Sequence, residues 1–127
     1  MNAQLNDLAR KWFESVWNQR STETIHRLVH PNCLGHHEGS ETCGPAALQA
    51  MRDRLLTMLP DLQVVIEDVV ADGDDAVVRW RFRGTPANQR PVSFSGMTWM
   101  KFRDGQIVEG WDSWNQAALI QHLQLPA

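Results

Sequence analysis

The first half of the chain carries its apolar residues at three- and four-residue steps, which is the period of an amphipathic helix. Along residues 3–18 this pattern predicts a first helix with a buried face of Leu5, Leu8, Ala9, Trp12, Phe13, Val16 and Trp17. Ser21 is a suitable N-cap for a short second helix, which Pro31 is expected to stop. A third helix is predicted to begin at Gly44-Pro45, with proline in its first turn, and to end at Pro60-Asp61.

The second half of the chain changes to runs typical of β-strands. Four strands are predicted, at residues 63–71, 76–84, 92–103 and from 106 to 111. In the second of these strands Val78, Trp80 and Phe82 share one face, because successive side chains alternate across a sheet. Asp104-Gly105 is a strong hairpin signal between the last two strands. The pattern therefore predicts an antiparallel meander.

Shorter elements complete the predicted order. Residues 33–38 favour a short strand, residues 39–44 favour a loop, and Asn115 is a suitable cap for a final short helix. Helices followed by strands indicate an α+β fold, in which the helices pack on one side of a bent sheet. Such a cone-shaped arrangement leaves a pocket for a small molecule. We expect one domain over residues 1–127.

Composition and charge exclude several classes of protein. The net charge of −3 gives no basic footprint for a nucleic acid or an anionic membrane. No apolar run approaches the ~20 residues of a membrane span, and the first residues lack the layout of a signal peptide, so a cytoplasmic protein is expected. Cys33 and Cys43 are interpreted as reduced thiols. The chain has six tryptophans and no tyrosine, and these tryptophans suit either an ordinary core or an aromatic-lined cavity.

Asp112 is the strongest candidate for chemistry, because it stands between Trp111 and Trp114 at the end of the last predicted strand. A carboxylate in so apolar a setting is costly unless it is paired or neutral. The alternative is an acid that is solvated or paired with one of the arginines of a neighbouring strand, Arg79, Arg81 and Arg83. Those arginines are also suited to pairing with Glu67 and Asp68. In a regular strand the side chains of Asp112 and Asn115 point to opposite faces. Both can line a cavity only if the strand contains a β-bulge, for which Gly110 is a suitable place.

The neighbouring residues His36, His37 and Glu38 suggest a metal site only weakly. Their spacing fits no established ligand pattern, and adjacent strand residues point to opposite faces. We expect no metal and no organic cofactor, and we expect His36 to face the pocket as a hydrogen-bond partner or proton carrier. The residues expected to line the pocket are Trp17, Trp80, Phe82, Trp99, Trp111 and Trp114.

A set of short motifs, spread over nearly the whole chain, resembles the SnoaL-like polyketide cyclases of the nuclear transport factor 2-like superfamily. The motifs are Trp17-Asn18, His36, Gly44, Pro60-Asp61-Leu62, Gly73-Asp74, Val77-Val78-Arg79-Trp80, Gly84-Thr85, Phe102, Asp104-Gly105, Ile107-Val108-Glu109, Trp111 and Gln121 to Leu125. The resemblance implies an α+β cone, a homodimer and a hydrophobic cavity. It also implies an aspartate that acts as acid and base in an intramolecular aldol condensation without a cofactor, and Asp112 matches that aspartate. Many relatives have an acid at the position of Asn115 and a glycine at the position of Gln124.

The residues of the chain are compatible with three functions. The favoured one is a cofactor-free cyclase or isomerase that acts on a hydrophobic carbonyl compound, with Asp112 as acid/base and His36 near the enolate oxygen. The second is a binding module that holds a small apolar molecule without turnover. Chemistry like that of limonene epoxide hydrolases ranks last, because the chain offers only part of an Asp-Arg-Asp set. A homodimer through the outer sheet face is expected, since the strand of residues 92–103 is apolar at both parities.

Overall fold

The computed structural model describes residues 3–114 and residue 119. The helices lie where the apolar period predicts them. They are α1 Ala3–Lys11, a π-helix Trp12–Asn18, α2 Thr22–Leu28 and α3 Gly44–Met58. The side chain of Ser21 accepts a hydrogen bond from the backbone N–H of Thr24, which confirms the predicted cap of α2. α3 begins at Gly44 with proline in its first turn, also as predicted.

The first predicted helix differs from expectation in its second half, which is π-helical. Its wider turn is closed by the backbone N–H of Gln19, which donates to the carbonyl of Glu14 at 2.9 Å. Four apolar side chains of this segment are buried together: Trp12, Phe13, Val16 and Trp17. Sequence periodicity cannot distinguish this geometry from an α-helix, because a single π-helical segment alters the period over only two turns.

Six strands form one curved, open sheet. They are β1 Val29–His37, β2 Ser40–Cys43, β3 Gln63–Asp72, β4 Asp75–Gly84, β5 Val92–Arg103 and β6 Gln106–Trp114. Their order is β2-β1-β6-β5-β4-β3, and β1 runs parallel to β6 while every other pair is antiparallel. Helices followed by this mixed sheet confirm the α+β fold.

The region around β1 corrects three expectations. Pro31 lies inside β1 rather than stopping a helix, and the strand is nine residues long rather than a short piece at residues 33–38. Part of the predicted loop is β2, which pairs with β1 as a hairpin. The pairing of β1 with β6 is interrupted between Val29 and Leu34, which is where a proline without an N–H is tolerated. This parallel pairing is what brings the histidines of β1 beside the last strand.

The two faces of the sheet have different surroundings. The inner face packs on the helices and contributes Val78, Trp80 and Phe82 to the core, while the outer face carries exposed side chains. Arg79 and Arg81 lie on the outer face and contact Asp68 at 2.6 Å and Glu67 at 3.2 Å, which confirms the predicted pairing with β3. These arginines are therefore not partners of Asp112.

A β-bulge in β6 sets which residues face inward. Lys101 pairs with Glu109 and Phe102 pairs with Ile107, so Val108 is the extra residue. The bulge lies two residues before Gly110, the place suggested by the sequence. It keeps Ile107 in the core and still turns Gly110, Asp112 and Trp114 to the inner face.

No helix in the described part of the chain is long and apolar enough to cross a membrane. The predicted final helix, including its cap Asn115, lies outside the described residues except for Leu119, which is buried.

Candidate active site

A cavity lies between the helices and the inner face of the sheet. The π-helix contributes Trp12, Phe13 and Trp17, α3 contributes Leu48, Met51 and Leu55, and the strands contribute Cys33, Gly35, His37, Val64, Trp80, Phe82, Thr98, Met100, Ile107, Gly110, Asp112 and Trp114. The space open to the centre of a water molecule is about 90 Å³. One water needs roughly 10–15 Å³ by this measure, so the cavity has room for a small organic ligand.

Aromatic rings form much of the wall. Trp80 and Phe82 stack with ring centroids 5.7 Å apart, and Trp114 meets Phe82 edge to face at 5.2 Å. Phe13 lies 6.3 Å from Trp80 on the helical side. These contacts fix the rings against one another, and they offer planar apolar surfaces to a ligand.

Asp112 is an acidic side chain in this aromatic surrounding, and its carboxylate has two protein partners. Its Oδ2 lies 2.7 Å from Nδ1 of His37, and its Oδ1 accepts a hydrogen bond of 2.7 Å from the hydroxyl of Thr98. The side chain is 20% exposed, and that of His37 is 7% exposed. The structure therefore places Asp112 on the cavity wall, within a hydrogen-bonded group.

The direction of these hydrogen bonds follows from the chemistry of the donors. The indole N–H of Trp80 can only donate, and it lies 2.9 Å from Thr98 Oγ1. Thr98 has a single hydroxyl hydrogen, which is directed to Asp112. An ionised carboxylate can only accept, so Nδ1 of His37 donates to Oδ2 when Asp112 is charged. The hydrogen bonds from Trp80 to Thr98 and from Thr98 to Asp112 thus stabilise an anionic Asp112 from one side, and the hydrogen bond from His37 stabilises it from the other.

His37 reaches Asp112 because β1 lies parallel to β6. Its other ring nitrogen, Nε2, is 3.1 Å from the hydroxyl of Thr42 on β2, which holds the ring in place. Gly35 gives the ring its space. A Cβ at Gly35 would lie 2.4 Å from Thr42 Oγ1, which is too close for a real contact, and 3.0 Å from Nε2 of His37, which would force the ring to shift.

His36 lies on the outer face, which corrects the expectation that it faces the pocket. Its Nε2 is 2.7 Å from Glu109 and its Nδ1 is 2.8 Å from Glu41. The hydrogen bond to Glu109, followed by that to Glu41, raises the pKa of His36 above its usual value. Its ring stacks on Trp111 with centroids 5.4 Å apart. The histidine that contacts Asp112 is its neighbour, His37.

Trp99 and Trp111 also lie on the outer face rather than in the cavity. Both are exposed, at 50% and 37%, and they contact each other edge to face. The reason is alternation: Trp111 pairs with Trp99 and His36, whereas Asp112 pairs with Thr98. Trp17, Trp80, Phe82 and Trp114, the other expected pocket residues, do line the cavity.

Sequence reasoning missed His37 and Thr98. One signal pointed to His37. Cys33 is apolar in character and favours the buried face of the strand. Side chains four residues apart in a strand lie on the same face, so a buried Cys33 places His37 on the inner face as well. Nothing comparable marked Thr98, whose place depends on the register between β5 and β6.

Cys33 lies on the cavity wall, but its thiol has low reactivity. Burial, followed by the nearby Cys43 and Glu109, raises its pKa to about 11. A thiol with this pKa is a poor nucleophile at neutral pH. Among residues 3–114 and residue 119, no three His, Cys, Asp or Glu side chains are grouped so as to hold a metal ion.

Comparison with known proteins agrees with this architecture. The family model described as SnoaL-like polyketide cyclase matches residues 7–123. A candidate SnoaL-like polyketide cyclase from Jannaschia sp. CCS1 is 21% identical, with a TM-score of 0.86 over 98% of this chain and 94% of that one. AclR from Streptomyces galilaeus, described as a candidate hydroxylase, is 24% identical, with a TM-score of 0.84 over 99% and 100% of the two chains.

A third structure is a candidate polyketide cyclase from Bacillus cereus ATCC 10987. It is 25% identical, with a TM-score of 0.85 over 98% of this chain and 83% of that chain. No curated protein matches the sequence. Because the family model spans most of the chain and the solved structures share its fold, the protein belongs to the SnoaL-like polyketide cyclase family.

Proposed function

We propose that the protein is a cofactor-free cyclase or isomerase that acts by acid/base chemistry on a hydrophobic, carbonyl-containing small molecule. Asp112 is the acid/base in this proposal. The observation that carries it is a carboxylate on the wall of an aromatic cavity, 2.7 Å from His37 and 2.7 Å from Thr98. The family assignment supports a small-molecule ligand for the same cavity.

In the first step Asp112 removes a hydrogen from the carbon next to a carbonyl group. The carboxylate becomes a carboxylic acid, and the electron pair of the C–H bond moves into an enolate. Both oxygens of Asp112 keep free lone pairs beside their hydrogen bonds, so the carboxylate is able to accept this proton. Nδ1–H of His37 and the Thr98 hydroxyl stabilise the charged form before the step.

In the second step the enolate carbon attacks another carbonyl carbon of the same molecule, and a carbon–carbon bond forms. The resulting alkoxide oxygen takes the proton that Asp112 removed in the first step, and the carboxylate of Asp112 is regenerated. An isomerisation uses the same groups, with the proton returned to a different carbon. Neither route consumes an oxidant or reductant. The cavity contributes by holding the two carbonyl groups close together, which replaces a random encounter with a fixed one.

A second candidate function is a binding module without turnover. The same contacts also support this function, because both oxygens of Asp112 already have hydrogen-bond partners. Trp80 holds the partner Thr98, and Thr42 holds the partner His37. A ligand would then be selected by shape and by the aromatic walls alone.

The exchange of hydrogen for deuterium separates these functions without knowledge of the natural substrate. We would incubate 2-tetralone in D₂O with the protein and follow its C1 hydrogens, which the adjacent carbonyl activates, by NMR. The proposal predicts catalysed exchange, and Asp112→Asn should slow it by ~100-fold or more. Asn keeps the size of the side chain and removes its ability to accept a proton.

Glu109→Gln is the matched control, because Glu109 is a carboxylate of the same strand that contacts His36 on the outer face. Its exchange rate should stay within about twofold of the wild type. Exchange at the uncatalysed rate with the wild-type protein, or equal losses in the two variants, would exclude Asp112 as the acid/base. Binding of 2-tetralone without any exchange would support the binding module.

We also propose that two copies of the chain pair through the outer face. Leu34, Met97, Trp99 and Trp111 are large apolar residues exposed on this face. Charged pairs surround them, including Arg79 with Asp68 and Lys101 with Asp75. An apolar centre with a charged rim is typical of a protein interface.

Sedimentation should show a dimer for the wild type and a monomer for Trp99→Glu. Thr57→Glu, which adds the same charge at an exposed position of α3, should remain dimeric.

A further inference from the structure

Four glycines lie within the strands: Gly35, Gly84, Gly96 and Gly110. At the first three a Cβ would lie under 3.0 Å from a neighbouring side chain, which already fills the space. Among the described residues other than its chain neighbours, Gly110 has one atom within 4 Å of such a Cβ. That atom is the backbone oxygen of Trp99 at 3.6 Å, an ordinary contact. Packing therefore explains three of these glycines and leaves Gly110 unexplained.

The backbone does not require a glycine at position 110 either. The φ angle of Gly110 is not positive, and the residue pairs regularly with Gly35 on β1 and with Met100 on β5. A glycine inside a strand weakens it, because it loses more backbone freedom on folding and has no side chain to pack. Such a glycine often marks a place where a ligand or another backbone approaches closely.

Gly110 lies on the cavity wall beside the candidate acid/base. The alternation that turns Trp111 outward turns Gly110 inward, on the same face as Asp112. Inward-facing positions next to each other along a strand are about 6.5 Å apart. The missing side chain therefore leaves a hollow, the open space over the backbone of Gly110, directly beside Asp112.

We propose that Gly110 is a specificity-determining residue of the cavity, and that the part of a ligand that contacts Asp112 lies in this hollow. A side chain at position 110 would occupy the hollow and exclude larger ligands, whereas smaller ligands would fit beside it. The inference rests on the proposed function, because it concerns how a ligand approaches Asp112. Its test measures binding and requires no turnover, so catalysis can fail while the inference stands.

Gly110→Ala and Gly110→Val fill the hollow in two steps. Ser113→Thr is the matched control, because it adds one carbon to the same strand at an exposed position of the outer face. NMR titration measures the binding of 2-tetralone and of cyclohexanone, a ketone with a single ring. Gly110→Ala should weaken binding of 2-tetralone about fivefold and Gly110→Val about 20-fold or more, because added carbons overlap with the ligand. Binding of cyclohexanone by both variants, and of 2-tetralone by Ser113→Thr, should stay within about twofold of the wild type.

Unfolding temperatures test whether the fold needs this glycine. Gly110→Ala should leave Tm unchanged or raise it, because alanine restricts the unfolded chain and fits the native backbone here. Gly96→Ala should lower Tm, because its Cβ would lie 2.7 Å from both Trp80 and Trp114. Equal losses of Tm in the two variants would overturn the proposal, since packing would then require Gly110 as well.

The binding results can overturn the proposal in four ways: a Gly110 variant binds 2-tetralone as tightly as the wild type, both ketones lose affinity equally, Ser113→Thr loses as much, or the wild type does not bind 2-tetralone. Weaker binding in the Gly110 variants, without hydrogen exchange by the wild type, would support the hollow and reject Asp112 as the acid/base. Catalysed exchange with unchanged binding in the variants would do the reverse. If Gly110→Val does not fold, Gly110→Ala remains decisive.

Discussion

The inner and outer faces of the sheet carry the same chemical pair in two different settings. On the inner face His37 contacts Asp112 at 2.7 Å, and on the outer face His36 contacts Glu109 at 2.7 Å. The two histidines are adjacent in sequence, and the two carboxylates are three residues apart on one strand. The inner pair lies on the wall of an aromatic cavity, where His37 is 7% and Asp112 is 20% exposed, whereas the two side chains of the outer pair are 28% and 33% exposed.

The difference shows that a histidine and a carboxylate in contact do not by themselves mark a site. Exposed ion pairs are screened by water and contribute little to stability or chemistry. In the cavity the same pair is held by Thr42 and Thr98, and apolar rings limit the access of water to it. The surroundings, rather than the residue types, distinguish the candidate site.

The largest difference is expected for the tryptophans of the two faces. Trp80→Ala removes a buried ring and leaves the Thr98 hydroxyl without its donor, so the free energy of unfolding should fall by about 3–5 kcal/mol. In the monomer, Trp99→Ala removes a ring that is half exposed, and it should cost under about 1 kcal/mol. Urea unfolding at a protein concentration low enough to keep the chain monomeric measures both losses without the contribution of dimer formation. Similar losses would show that the outer face is as tightly packed as the inner one.

The two thiols give the next largest contrast. With a pKa of about 11, roughly one Cys33 in a thousand is ionised at pH 8, and the group is also buried. Cys43 is exposed. Ellman's reagent should therefore modify Cys43 at least about 100-fold faster than Cys33, with Cys43→Ser removing the fast phase. Two thiols that react at one rate would mean that the cavity wall is open to the reagent.

A smaller contrast is expected for the adjacent histidines. His37→Phe places a ring of similar size against Asp112 without a donor, and the rate of 2-tetralone exchange should fall about tenfold or more. His36→Phe should leave that rate within about twofold of the wild type. If the two variants lose the same activity, His37 has no special part in the chemistry.

The smallest effect concerns pH. The carboxylates of Glu109 and Glu41 raise the pKa of His36, so its contacts stabilise the folded protein fully below the unfolded histidine value of about 6.5. This stabilisation is lost as the pH rises through the raised pKa. The difference in Tm between the wild type and His36→Gln should therefore shrink as the pH increases. A difference that is constant with pH, or that grows, would contradict this assignment.

Most of the fold could be predicted from local patterns. The alternation of Val78, Trp80 and Phe82 with arginines fixes the two faces of β4, and Asp104-Gly105 fixes the last hairpin. The pairing of β1 with β6 could not be predicted in this way. It joins segments about 75 residues apart, and no local turn specifies it.

The same long-range pairing explains the errors at the candidate site. Which of two adjacent residues faces inward depends on the phase of the whole strand. A one-residue change of phase exchanges His36 for His37 and Trp111 for Asp112. The bulge at Val108 shifts the phase of β6 again. Local composition marked Asp112 as unusual, but it could not supply the partners that β1 and β5 bring to it.

The most direct test of the account is a crystal structure of the protein with 2-tetralone bound. We predict that the ligand occupies the cavity, with its C1 carbon about 3–3.5 Å from a carboxylate oxygen of Asp112, the distance that proton transfer requires. A ligand bound instead on the outer face against Trp99 and Trp111, or in the cavity with C1 remote from Asp112, would contradict the account.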